Sequence, residues 1–527
     1  MTTNDLPPLG KPAQRALAGA GYSRLGQFTE VSGAEIAGLH GMGPKALYRI
    51  RRALAARGQS FADEEESGDR IVDAVFSSTT RLAAAIRAGE VSATDVLEAH
   101  LAQIEKHNSV LNAIVAMDAR RARERAQEAD EALARGEVWG PLHGVPYTLK
   151  DAHATEGMRT TTGFPPLDHT PQEDGAVAAR LKAAGGILIG KTNVAMMLGD
   201  PAQSSNPIFG HTSNPWNLGC TPGGSGGGAA AALASGMTPF EVGTDLAGSI
   251  RIPAHFCGLF GLKPTENRTS SAGLIPGLPP PRSVRIMSCI GPMARNVEDL
   301  TLLYPIIAGP DGRDTEVQPV PVEDAPDLEP EELRIAYAPT FPGLPVAAEI
   351  RGAIEELAQQ FKTLGATVEE ATLPDLDFNQ DLSSAGDLIG MVLGAFQPEE
   401  DKPPATLAQY LEALDRRDQS MVAWEEFFES WDVLLCPASM VTAFSHRETG
   451  SPLRVDGQEV AYWLVNAHAT LFNYTGHPAV VLPYTEDRNG LPIGVQVVGK
   501  RWDESRLLGV AYALSQVTGK FQRPPGY

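Results

Sequence analysis

TPGGSGGGAAAALASG (221–236) and, shortly after it, VGTDLAGSIRIPAHFCGLFGLKPT (242–265) are the segments on which the reading of this chain turns. In each, small residues crowd around a hydroxyl, Ser225 in the first and Ser249 in the second. Glycines lack a Cβ, so backbone can approach closely and adopt unusual dihedrals, and several N–H groups can converge on one oxygen as in an oxyanion hole. A nucleophilic serine also needs a base. The nearest histidines in sequence are His211 and His255; the other candidate is Lys150, in the apolar run GVPYTLKDAHA (144–154), because burial disfavours an ammonium ion and a neutral lysine is a usable base.

Two neighbouring patterns point elsewhere and are set aside. Gly185, Gly190, Lys191 and Thr192 satisfy the phosphate-binding P-loop expression, but the intervening Gly186-Ile187-Leu188-Ile189 is an apolar β-type run, whereas phosphate cradling needs an exposed loop. Gly223-Gly224-Ser225-Gly226-Gly227 fits the G-x-S-x-G nucleophile elbow, but the preceding WNLGCTP (216–222) is no buried strand from which such an elbow could turn.

Taken together, the lysine after an apolar strand, the glycine-serine stretch and the GSIR loop resemble the amidase signature family. The likeness continues through LHGVPYTLKDAHATEGMRTTTG (142–163), GGILIGKTN (185–193), CGLFGLKPT (257–265), GPMARNVEDLTLL (291–303), NYTGHPAVVLP (473–483) and GLPIGVQVVG (490–499), spanning nearly all of 75–520. The resemblance implies a catalytic triad in which Ser249 attacks the amide carbonyl, Ser225, joined to Gly224 by a cis peptide, shuttles a proton, and Lys150 accepts it. It further implies an oxyanion hole of the backbone N–H groups of Leu246, Ala247, Gly248 and Ser249, with no metal and no cofactor. Asp245 and Arg251 flank the nucleophile and are expected to pair as scaffolding, an ion pair of little worth if exposed. Two departures stand out: Gly226 occupies a place where many members carry a second serine, and Leu246-Ala247 replaces a common Ile-Gly.

Outward from these motifs, apolar runs alternate with helical patterns. Strands are expected at Val145–Leu149, Ile187–Ile189, Leu333–Tyr337, Val433–Leu435, Val480–Leu482 and Ile493–Val498, and Ser92 is expected to cap a helix whose Leu97, Leu101 and Ile104 face inward. The alternation predicts an α/β class with a largely buried sheet covered by helices on both faces, and the resemblance implies the amidase signature fold with a mixed central sheet. The catalytic domain is assigned to 71–527, with Asp311 to Pro330 as a surface excursion within it.

Residues 1–60 form a different unit. The chain carries a net charge of −22, which argues against nucleic acid as a partner for its bulk, yet this segment has eight basic side chains against three acidic ones. Its apolar residues recur at helical spacing, with Ser32 as a cap ahead of Glu35, and predict a small all-α domain of four or five short helices. The turn LHGMGPKAL (39–47) resembles that of helix-hairpin-helix modules, which implies either a docking domain or weak nucleic-acid contact through Lys45, Arg49 and Arg52. The acidic stretch FADEEESGDR (61–70) reads as a linker.

Cys220, Cys257, Cys289 and Cys436 are scattered without metal-ligand spacing and read as reduced thiols. With no membrane-length apolar run and no apolar run near the start, the expected location is the cytoplasm. The function expected is hydrolysis of a small carboxylic amide to an acid and ammonia or an amine through a Ser249 acyl-enzyme. The alternatives are a glutaminase-like subunit of a tRNA-dependent amidotransferase, or a nucleic-acid-associated protein on an inactive amidase scaffold. Met391, Phe396, Tyr410 and Trp463 are expected to be core rather than pocket.

Overall fold

The computed structural model describes residues 5–55, 57, 59–62, 74–277, 285–396 and 404–527. Among these, eleven strands join in one sheet: β1 (Ile114–Met117), β2 (Pro146–Lys150), β3 (Ile187–Thr192), β4 (Glu241–Asp245), β5 (Phe260–Lys263), β6 (Cys289–Ala294), β7 (Arg334–Tyr337), β8 (Thr367–Glu370), β9 (Val433–Pro437), β10 (Ala479–Glu486) and β11 (Pro492–Gly499). Their spatial order is β1-β3-β2-β4-β6-β5-β10-β11-β9-β7-β8. The sheet is mixed: β2 runs parallel to β3 and β4, and β7 parallel to β8 and β9, while the remaining pairings are antiparallel. All six segments read as strands from the sequence lie in this sheet.

The alternation within single strands shows why both faces are covered. Val480 and Leu482 of β10 pack into one apolar cluster with α6 (Ala348–Leu364) and α8 (Glu504–Thr518). Val481, between them, packs on the other face with α4 (Gly227–Ala234) and α5 (Arg251–Cys257). Ser92 caps its helix as expected, accepting from the N–H of Asp95 at 2.9 Å, and Leu97, Leu101 and Ile104 are buried. Because β2, β3 and β4 are parallel, their carboxyl ends open at one edge, the customary place for a ligand in such sheets.

The N-terminal unit contains α1 (Lys11–Gly19), a 3₁₀ turn at Leu25–Glu30, α2 (Gly33–Ala37) and α3 (Pro44–Ala55) around a core of Leu17, Phe28, Ile36, Ile50 and Leu54. Ser32 accepts from the N–H of Glu35 at 3.0 Å, as read from the sequence. The boundary placed at residue 61 is corrected: Phe61 is fully buried, its ring 5.9 Å from that of Phe28, and the Ala62 N–H bonds Val31 O at 2.9 Å. Both residues belong to the module, and 63–70 lie outside the described residues.

The module's basic helix faces the catalytic domain. Tyr48 is buried in the apolar cluster built by β7, α6 and α8, and the helix's cations meet the acidic end of the surface excursion. Lys45 pairs with Glu331, and Arg49 reaches the same carboxylate at 3.3 Å. Arg52 pairs with Asp327 and with Glu329 (3.0 Å) and donates to Leu328 O at 2.9 Å. The nucleic-acid contact expected from Lys45, Arg49 and Arg52 is thus unsupported, because these charges are engaged within the chain.

Candidate active site

Lys150 is the last residue of β2, a strand buried along its whole length, and its amine lies in the interior. Nζ is 2.9 Å from Ser225 Oγ, 2.8 Å from Thr244 Oγ1 and 3.2 Å from Thr244 O. Burial lowers its pKa to about 7, with the negative charges of Asp245 and Glu241 acting in the opposite sense.

Ser225 follows a cis peptide bond from Gly224. Its loop is gripped by Ser204, whose single hydroxyl proton is shared between Gly223 O (3.0 Å) and Ser225 O (3.1 Å) and whose oxygen accepts from the Gly227 N–H (2.8 Å). No strand precedes this loop and α4 follows it, so a strand-to-helix elbow is absent here, and the β3 position of Gly190, Lys191 and Thr192 likewise leaves no exposed P-loop.

Ser249 stands between β4 and α5, nearly buried. A Cβ built on Gly226 would stand 2.8 Å from Ser249 O and 3.9 Å from Lys150 Nζ. The structure thereby brings Lys150, Ser225 and the Ser249 loop into one place, and it accounts for the first departure: the backbones are too close to admit a second serine without a shift.

The Ser249 loop is organised by Asp245. Its carboxylate accepts from the N–H groups of Gly248 (2.8 Å), Ile250 (3.1 Å) and Arg251 (3.4 Å), and from the Arg251 side chain through Nε (3.0 Å) and an NH2 group (2.9 Å). The two residues pair as expected and both are fully buried, so the small worth of an exposed pair does not apply. Burial opposes the charge on Asp245, and the adjacent guanidinium overrides it, holding the carboxyl well below the usual carboxylate range. The four N–H groups expected as oxyanion donors differ in their partners. The Gly248 N–H is committed to Asp245, whereas those of Leu246, Ala247 and Ser249 have no partner among the described residues.

Neither histidine occupies a basic role. His211 is exposed, its ring beside that of His446, and His255 is fully buried in α5, held by Gly494 and Val441 backbone groups. Sequence reasoning missed Thr244 and Ser204, which touch the lysine and the cis-peptide loop. It also missed Glu241, fully buried, whose carboxyl accepts from the hydroxyls of Thr148 and Thr192 (2.8 Å), and which burial pushes up to about 8. An apolar cluster adjoins this loop: Leu246, Met391 and Tyr410, all partly buried, pack against a core that includes Met287 and Leu388. Trp463 is more than half exposed, contrary to a core position, and the Phe396 side chain is outside those described.

A family model for Amidase matches residues 95–388 and 393–508, most of the sequence and both halves of this site. The chain belongs to the amidase family. Among curated relatives, the glutamyl-tRNA(Gln) amidotransferase A subunit of Alkaliphilus metalliredigens is 33% identical over 477 residues, 82% of this chain and 94% of that protein. Its counterpart in Thioalkalivibrio sulfidiphilus is 35% identical over 489 residues, 84% and 98%. Among solved structures, 6-aminohexanoate cyclic dimer hydrolase in complex with substrate is 28% identical with a TM-score of 0.73, covering 86% of this chain and 99% of that one. The α/β amidase fold and an enzyme acting on carbon–nitrogen bonds other than peptide bonds follow from this membership. The matched residues begin at 95, after the N-terminal module. No helix among the described residues is long and apolar enough to cross a membrane.

Proposed function

We propose that this amidase hydrolyses a carboxylic amide through an acyl-enzyme at Ser249, with Ser225 as proton shuttle and Lys150 as base. The observation that carries the reading is the buried contact of 2.9 Å between Lys150 Nζ and Ser225 Oγ beside the nucleophile loop. Ser249 Oγ forms a bond to the amide carbon as its proton passes to Ser225 Oγ, whose own proton passes to neutral Lys150. The carbonyl oxygen becomes an anion facing the N–H groups of Leu246, Ala247 and Ser249. Return of the proton through Ser225 to the nitrogen lets ammonia or an amine depart, and water releases the acid by the same relay.

Two substrate readings differ in what supports them. The curated relatives favour glutamine as the amide and a tRNA-dependent amidotransferase complex as the setting. The apolar cluster around Leu246 favours an alkyl or aryl amide processed by the chain alone. Four buried free thiols fit the cytoplasmic location proposed with either.

The test is intact-mass analysis of wild type and Ser249→Ala after exposure to a fluorophosphonate, with turnover of glutamine and of alkyl and aryl amides. A single adduct and amide turnover, both lost in the variant, are expected. Equal labelling in the two proteins removes Ser249 as nucleophile. Turnover of simple amides by the isolated chain selects the second substrate reading, and turnover of glutamine alone selects the first.

A further inference from the structure

Three carbonyls along the Asp245–Ser249 loop are held by hydrogen bonds, two of them from one helix. In a planar trans peptide the C=O and N–H point in opposite directions, so whatever holds a carbonyl also aims the next residue's N–H. Asp245 O accepts from Asn473 Nδ2 at 2.9 Å, which turns the Leu246 N–H away from Asn473. Ala247 O accepts from Asn466 Nδ2 at 2.8 Å, which turns the Gly248 N–H toward Asp245, where it bonds. Gly248 O accepts from the Ile252 N–H at 2.7 Å, which turns the Ser249 N–H outward.

Both asparagines belong to α7 (Ala467–Tyr474), Asn466 as its N-cap and Asn473 near its end. A separation of seven residues is two helical turns, so both side chains lie on one face of the helix. Asparagine is a favoured cap because its side-chain oxygen can accept from the helix's first N–H groups, yet Asn466 makes no such bond. Its amide instead reaches Ala247 O and, at 3.0 Å, Thr470 Oγ1. Asn473 is fully buried and divides its amide between Asp245 O and Met287 O (3.0 Å) while its oxygen accepts from Arg251.

We propose that Asn473 and Asn466 are positioning residues of the Leu246–Ser249 loop, with α7 as its template: Asn473 aims the Leu246 N–H, and Asn466, by fixing the Ala247–Gly248 peptide with its N–H turned to Asp245, sets the place of the Ala247 and Ser249 N–H groups on either side. The inference rests on the acyl-enzyme reading given above. Neither residue touches a reacting atom; each acts through a peptide group.

Asn466, at the helix end, is the position to change. Fluorophosphonate inactivation forms a bond at Ser249 while negative charge grows on the phosphoryl oxygen, so its second-order rate reports the oxyanion donors without a chosen substrate. In the full-length chain, Asn466→Ala is expected to slow inactivation by roughly 10- to 100-fold, less than or comparable to the loss of a donor itself. The pH midpoint of the acid limb of inactivation should stay where wild type has it, because Lys150 is untouched. Asn466→Asp keeps size and cap position but offers only acceptors to Ala247 O, and it should be slowed similarly, so a folding defect in the alanine variant leaves the idea testable. Inactivation within about twofold of wild type in a folded variant overturns the proposal, as does slowing that comes with a moved pH limb, since the defect then lies in the base. Wild type that is not labelled at Ser249 overturns the acyl-enzyme reading itself; labelled wild type with an equally reactive variant overturns the positioning role alone.

Discussion

At Lys150 the three contacts suit an ammonium with three donors and also its neutral amine. The neutral form has two N–H donors and one lone pair: Thr244 O and Oγ1 take the donors, and the Ser225 hydroxyl can donate to the lone pair. With the amine's pKa lowered from 10.5 to about 7 by burial, the base form is lost as pH falls through that value. A pH profile of kcat/KM is expected to drop tenfold per unit below about 7, and a flat profile down to pH 5 would assign the base elsewhere. Lys150→Met should lower the rate by roughly 10²- to 10⁴-fold, and Lys150→Arg should not restore it, because a guanidinium stays protonated. Stability moves the other way. Between about 7 and 10.5 the unfolded chain binds a proton that the folded chain does not, so this lysine disfavours folding most at and below pH 7 and least above 10.5. Urea titrations should therefore find Lys150→Met more stable than wild type at pH 6, with the advantage shrinking at pH 9.

At the level of elements, burial is met by partners distant in sequence, and this decides what could be read in advance. The six expected strands are short runs of β-branched and apolar residues, a local signal. β4 was not among them: EVGTD carries two carboxylates, and its burial depends on hydroxyls of Thr148 and Thr192 and on Arg251, Asn473 and Gln496, which no local pattern displays. The same division holds in the site. Lys150, Ser225 and Ser249 stand out as candidates in the sequence because they sit in unusual runs, whereas Thr244, Ser204, Asn466 and Asn473 are ordinary residue types whose contacts exist only after folding. Asp245 also explains why the loop depends on charge: its carboxylate holds three N–H groups besides the guanidinium. Removing one member of a buried pair costs about 3–5 kcal/mol, so Arg251→Met is expected to destabilise by that order in urea unfolding. Apolar replacement of both, Asp245→Leu with Arg251→Met, should recover little, since the three N–H groups lose their acceptor; full recovery would reduce Asp245 to a mere counter-ion.

On the scale of the whole molecule, the basic module and the acidic chain are complementary parts of one surface. The contacts of Lys45, Arg49 and Arg52 with Asp327, Glu329 and Glu331 are partly exposed, and such pairs contribute about 0–1 kcal/mol each, less at high salt. Tyr48, buried between β7, α6 and α8, supplies an apolar anchor that salt does not screen. The module should therefore remain docked as ionic strength rises, and hydrogen exchange in α3 should be slow in both low and high salt. Reversing Asp327 and Glu331 to lysine replaces attraction with repulsion and is expected to speed exchange in α3 while amide turnover is kept, because neither residue approaches the triad. Duplex DNA tests the same arrangement from outside: with α3's cations engaged, the full-length chain should not retard it even at low salt. Salt-dependent retardation by the wild-type chain would mean that Lys45, Arg49 and Arg52 are available to phosphate, and that the ion pairs with 327–331 do not persist in solution.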